Sequence, residues 1–255
     1  MSGAYSRVFI TGDIHGSIDI QKIELLIDQQ GGALSADPAK KLMLVCGDFG
    51  AIFETKPDDW ERSVRAMYRA LYEQYGLQFA TCLGNHENYD RIYHELGTFD
   101  WCGDKVYTMD GRRGPLYLQN GGYYTIPASQ GDFTILAMGG APSADRKTRL
   151  PGKSWWPEEI PDKVMLKRAL ANLDAHDRHA DYIVTHTLPY KLQKAIFVKP
   201  FSPRGVRKPT VAKMLQKIAD RATWRQWFAG HHHKDLTLKP YKTTLLYNTI
   251  LELKV

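Results

Sequence analysis

Short β-rich apolar runs recur along this chain, and most of them stop abruptly in a cluster of glycine and polar residues. Arg7 to Thr11 leads into GDIHG, Lys41 to Cys46 into GDFG, and Gln78 to Leu83 into GNHE. Phe133 to Met138 leads into GGAPS, Tyr182 to Thr185 into His186, and Trp227 to Ala229 into GHHH. A strand exposed on one face would alternate apolar with polar residues, so continuous apolar runs bounded by glycine read as strands covered on both faces. Helical spacing appears between them: Ile20, Ile23, Leu26 and Ile27 within 18–30, and Trp60, Val64, Met67, Leu71 and Tyr75 within 59–75. Further helices are expected over 162–174 and 211–221. The tail, 243–254, alternates toward a strand, and 116–127, with Asn120-Gly121-Gly122 at its middle, reads as a β-hairpin.

Strand and helix alternate over the first 90 residues and a strand-rich half follows, a pattern that suits helices packed outside a sheet core. No linker, repeat or low-complexity tract interrupts it, and the proline-rich stretches 151–161 and 200–209 read as surface loops, so one domain over 1–255 is expected. Composition is that of a soluble globular protein, 43% hydrophobic and 24% charged. No stretch approaches the roughly 18 apolar residues of a membrane span. The N-terminal residues lack the basic and long apolar regions of a signal peptide, which points to a cytoplasmic location. Cys46, Cys82 and Cys102 are odd in number and without CxxC spacing, which argues against a disulfide framework or a cysteine zinc site. The charge is uneven: between Lys191 and Arg225 there is a single acid, Asp220, among many Lys and Arg, which fits either an anionic partner or a solvated basic face.

The polar residues at the predicted strand ends are Asp13 and His15, Asp48, Asn85 and His86, His186, and His231 with His233. Strand ends of an α/β fold converge on one rim, where sites are usually built. Carboxylate, imidazole and amide oxygen together suit borderline cations such as Mn, Fe or Zn. Each element alone has a plainer reading, a turn for Asp-x-His or GDFG and a helix cap for GNHE, but their recurrence after apolar strands favours a site. For the three adjacent histidines, side-chain alternation in an extended segment would put His231 and His233 on one side and His232 on the other.

GDIHG, GDFG, GNHE, THTLP and GHHH together resemble the motifs of the calcineurin-like metallophosphoesterases, over residues 8–233. The resemblance implies a four-layer α/β/β/α sandwich, two mixed sheets flanked by helices, with two divalent metals at the strand ends; Mn is the expected activating ion in vitro. It implies Asp13, His15 and His233 on the first metal, Asp48 bridging, and Asn85, His186 and His231 on the second. It also implies His86 as the group that protonates the leaving oxygen or stabilises charge there; Glu87 and Glu54 are candidates for orienting it. Two cations about 3.5–4 Å apart would share a water, lower its pKa and clamp the phosphoryl oxygens during in-line attack.

Two departures bear on the substrate. Protein serine/threonine phosphatases of this superfamily carry an arginine in the second motif and another before GNHE, whereas here GDFGAIFE has none and Leu83 precedes Gly84. The resemblance therefore leans to the phosphodiesterase-like branch. Phosphate contacts would come from Arg146 and Arg149, on a loop that also carries Ser143, Trp155 and Trp156, and from Arg204 and Arg207. A small anionic, nucleotide-like phosphodiester is the leading substrate, with a phosphomonoester or phosphoprotein as the alternative. A non-catalytic metal-binding scaffold is a third reading, and no recognised nucleic-acid module supports a nuclease.

Overall fold

The computed structural model describes residues 3–197 and 210–254. Its first sheet begins with three parallel strands, β1 (Arg7–Thr11), β2 (Lys41–Val45) and β3 (Leu77–Thr81). It continues through β4 (Gly97–Trp101), β5 (Asp104–Thr108) and β6 (Leu116–Leu118). The second sheet holds β7 (Gly122–Ile126), β8 (Phe133–Met138), β9 (His179–Thr185), β10 (Thr223–Ala229), β11 (Leu236–Leu238) and β12 (Thr243–Leu245). The last strand, β13 (Ile250–Glu252), returns to the first sheet beside β1. The spatial orders are β13-β1-β2-β3-β6-β5-β4 and β11-β12-β10-β9-β8-β7. Both sheets are mixed, and in each the central strands, β1–β3 and β8–β10, are parallel.

The alternation of side chains along each strand divides the apolar residues between two cores. Val8, Ile10, Leu42 and Leu44 from one sheet meet Tyr124, Ile135, Ala137, Val184 and Phe228 from the other, all buried. Phe9, Met43, Val45 and Phe79 point outward onto α1 (Gln21–Ala36) and α2 (Asp59–Tyr75), meeting Ile23, Leu26, Val64 and Tyr68; Tyr89 and Ile92 of α3 (Tyr89–His94) join them. Leu136, Met138, Ile183 and Trp227 point outward onto α4 (Lys163–Ala175) and α6 (Thr210–Ala219), whose Leu166, Leu173, Leu215 and Ile218 cover them; the short α5 (Tyr190–Ile196) follows β9. The result is the expected four-layer α/β/β/α sandwich.

Three expectations about local structure need correction. The stretch 116–127 is not a hairpin: β6 pairs with β3 and β5 in one sheet, and β7 pairs with β8 in the other. Gly121, at φ 77°, gives its N–H to the Ala137 carbonyl, so the turn carries the chain between sheets. The two-residue hairpin lies earlier, at Cys102-Gly103 between β4 and β5, where both residues have positive φ (53° and 96°) as a primed turn requires. The C-terminal stretch divides into β12 and β13, which belong to different sheets. The first helix starts at Gln21 and runs past Gly31-Gly32 to Ala36. By contrast α2 spans the predicted residues, because Asp58 caps its first turn by accepting from the Glu61 N–H and Gly76 closes it in the left-handed region.

Candidate metal centre

Because the central strands of both sheets are parallel and the sheets pack face to face, their C-terminal ends share one rim. Backbone hydrogen bonds join the loops there: Gly140 N–H to the Leu83 carbonyl, and Gly230 N–H to the His186 carbonyl. Eight non-glycine residues among those described have positive φ, and four of them are His15, Asp48, His231 and His233. Strained backbone concentrated on candidate ligands is the pattern of a site whose surroundings hold it in place. Two motif glycines are required for space. A Cβ on Gly84 would collide with the Asp48 carboxylate, and one on Gly230 with that of Asp13.

Asp48 lies at the middle of the site. One carboxylate oxygen, Oδ2, is 3.3 Å from His15 Nε2; the other, Oδ1, is 3.2 Å from His186 Nε2. On the His15 side, His233 Nε2 lies 3.1 Å from Asp13 Oδ2, and Asp13, His15 and His233 bring their donor atoms within 4.8 Å of one another. On the other side Asp48, His186 and His231 do the same, and Asn85 Oδ1 stands 3.1 Å from His186 Nε2. All seven residues expected as ligands are thus brought together, in two groups that meet at one carboxylate. Asp13 and Asp48 are buried, and among the described residues neither side chain pairs with Lys or Arg. Two buried carboxylates need cationic partners. The donor set fits a pair of borderline divalent ions, with Asp48 placed between them.

The electrostatics follow the same layout. Burial alone would raise the Asp48 pKa, but His186 and the His15 hydrogen bond outweigh it and hold the carboxylate well below its usual range. Burial opposes charge on His186, yet Asp48 and then Asp13 push it up to about 10. His15 rises to about 9 in the same way, against burial, through Asp48 and Asp19. His86 goes the other way: burial lowers it, Asp48 only partly compensates, and His15 and Arg149 lower it further. The raised values of His15 and His186 reflect the negative charge of Asp48 and Asp13, which bound cations would balance.

His86 sits at the edge of this rim, its backbone N–H donating to Asp48 Oδ1 at 2.8 Å. Its ring stacks on Phe53, with centroids 6.0 Å apart, and Arg149 Nη2 lies 3.3 Å from its Nε2. Neither acid expected to orient it does so. Glu87 accepts from the N–H groups of Phe49, Gly50 and Gly84, tying the second motif loop to the third. The Glu54 carbonyl accepts from Asn88 and Arg91, and its carboxylate has no partner among the described residues. Trp156 is buried against the Phe53 edge and Ser143 is bonded to Glu159, so both anchor their loop. Arg146 forms no side-chain hydrogen bond or ion pair among the described residues, and Arg204 and Arg207 lie outside them.

His232 does turn away from both groups, but not through strand alternation. Its N–H bonds the Gly230 carbonyl at 2.7 Å across His231 at φ 64°, so the three histidines occupy a tight turn. Its Nε2 lies 3.1 Å from Thr187 Oγ1 and its ring packs near Phe197, where burial first and His186 second lower its pKa to about 3.

Sequence reading missed a supporting set around the first group. Asp19 Oδ2 lies 2.6 Å from His15 Nδ1, and Tyr247 donates its hydroxyl to the other Asp19 oxygen at 3.1 Å. The Tyr247 ring stacks on His233 at 4.4 Å with only 2° between planes. Asp235 holds the Tyr247 loop through the N–H groups of 247, 248 and 249, and buried Lys22 donates to the Asp13 and Tyr247 carbonyls. Asp19, four residues after His15, was accessible to sequence reasoning through its spacing; Tyr247 left no local signal.

A family model described as calcineurin-like phosphoesterase matches residues 6–235. The chain belongs to the calcineurin-like phosphoesterases. No curated protein matches it. Among solved structures, the Thermus thermophilus sulfate thiohydrolase SoxB in complex with glycerol is similar at 12% identity and a TM-score of 0.46, over 96% of this chain and 52% of that one. A second crystal structure is similar at 12% identity and a TM-score of 0.48, over 94% of this chain and 89% of the other. The chain thus spans about half the length of the SoxB chain.

Proposed function

We propose that this phosphoesterase hydrolyses a small phosphodiester at a dinuclear metal centre, giving a phosphomonoester and an alcohol. The observation that carries the reading is the position of Asp48, whose two oxygens face two separate histidine groups. In the proposal Asp13, His15 and His233 would hold one ion, Asn85, His186 and His231 would hold the other, and Asp48 would be shared between them. When bound, such a pair supplies charge stabilisation and a lowered water pKa. The chain's own part is to orient the ester. In this reading Arg149, beside His86 and ion-paired with Asp145, would grip a phosphoryl oxygen, and His86 would meet the leaving oxygen.

Preference for a diester rests on the anion-binding groups. Among the described residues Arg149 is the one guanidinium bonded to a side chain of the site, and the second and third motifs supply no other. A diester carries one negative charge and a monoester up to two, so a single arginine suits the former. Mn is the ion proposed for activity in vitro, and a cytoplasmic location is part of the same proposal. Assay of the Mn-loaded protein on a matched aryl phosphomonoester and bis-aryl phosphodiester decides between the ester classes. Diester turnover should dominate; monoester activity far above it would replace this reading with that of a phosphatase.

A further inference from the structure

Beside His15 and His86 opens a cavity of about 350 Å³, a size that suits one ring or a compact headgroup rather than a polymer. Its walls are apolar: Phe53, which stacks on His86; Trp60, 37% exposed; and Ile18, 72% exposed. The Trp60 ring rests directly on Gly16 of the first motif, in the space a Cβ there would fill, so the aromatic wall is fixed to the loop that carries His15. Apart from His15 and His86 at the metal rim, the ionisable residues that line it are acidic. Glu54 and Asp58 both line it; the Glu54 carboxylate has no partner among the described residues, and Asp58 caps α2 through one oxygen only. Among the described residues no Lys or Arg lines this cavity. His86 thus touches both an arginine and this acidic, aromatic recess.

We infer that this recess receives the leaving group of the phosphoester. It selects an alcohol with an apolar or aromatic body and a positively charged or N–H-donating end, and it rejects a second phosphate. The inference rests on the reading of the site as a phosphoesterase. Trp60 would attract a cation through its ring face, and Glu54 would attract it directly. A second phosphate would meet two carboxylates instead.

The test is binding of free leaving groups, measured by calorimetry on the Mn-loaded chain, separately from turnover. The probes are para-trimethylammonium phenol, para-tert-butyl phenol and para-hydroxybenzoate, alike in size and differing in charge. The cation should bind about tenfold tighter than its neutral isostere, and the carboxylate should bind weakest. Glu54→Gln should narrow the gap between cation and isostere while leaving the isostere's affinity unchanged; Trp60→Leu should weaken both. Equal or tighter binding of the carboxylate, or a gap undiminished in Glu54→Gln, overturns the inference. The predicted order without any ester turnover would leave the recess as described and remove the phosphoesterase reading. Turnover without the order would do the reverse.

Discussion

The two ligand groups that meet at Asp48 differ in how the fold holds them. His186 is fully buried, with Nδ1 against the Cys46 carbonyl at 2.8 Å and Nε2 between Asp48 and Asn85. The opposite group opens to solvent at one member: the His233 side chain is 49% exposed, whereas that of His15 is 12% exposed and Asp13 is buried. The core positions the first group, whereas the second depends on a few side chains, Asp19 and Tyr247, that stand outside the ligand set. An ion in the buried group is therefore continuous with the folding core, and an ion in the open group should exchange.

Removing a ligand from each group tests this contrast with the largest effect. His186→Ala takes from buried Asp48 one of its two imidazole partners, and should destabilise the metal-free chain by ~3 kcal/mol as well as emptying its group. His233→Ala should lose one ion with little change in the denaturation midpoint. Equal destabilisation by both substitutions would erase the distinction.

pH should sharpen it next. His186 and His15 are raised to about 10 and 9, so the folded metal-free chain binds protons there that the unfolded chain releases near pH 6.5. Their contribution to stability is therefore full below about 6.5 and lost as pH rises toward 9–10. Metal must displace the same protons, so metal affinity should rise over that range, by up to about tenfold per pH unit for each proton released. Titration in weak buffer would detect the protons; pH-independent loading would contradict the pairing with Asp48.

Asp19→Asn keeps the shape but weakens the hold on His15, and should cost roughly 10–100-fold in affinity at the open group alone. Competition with a chelator would measure it. His232→Ala should be the smallest change: both ions retained, because the ring faces Thr187 and Phe197. Loss of an ion there would mean that the turn rather than the ligands sets the division.

The convergence of the candidate ligands was legible in sequence because each follows directly on a parallel strand, so a local motif sufficed. α2 was legible for a similar reason, with Asp58 and Gly76 marking its ends. What escaped was relation across the sheets. Asn120-Gly121-Gly122 has the composition of a hairpin turn but carries the chain from one sheet to the other. The turn of His231 to His233 separates side chains through positive φ, which a strand pattern does not encode. Tyr247 reaches His233 only because β12 and β13 part to different sheets and Asp235 holds the loop between them.

Metal stoichiometry measured together with diester hydrolysis, for the native protein and for Asp48→Asn, tests the central claim most directly. Two ions per native chain are expected. The variant should show weakened binding at both groups and a loss of at least about 10²–10³-fold in turnover. One ion per native chain, or hydrolysis unchanged in Asp48→Asn, would contradict the account.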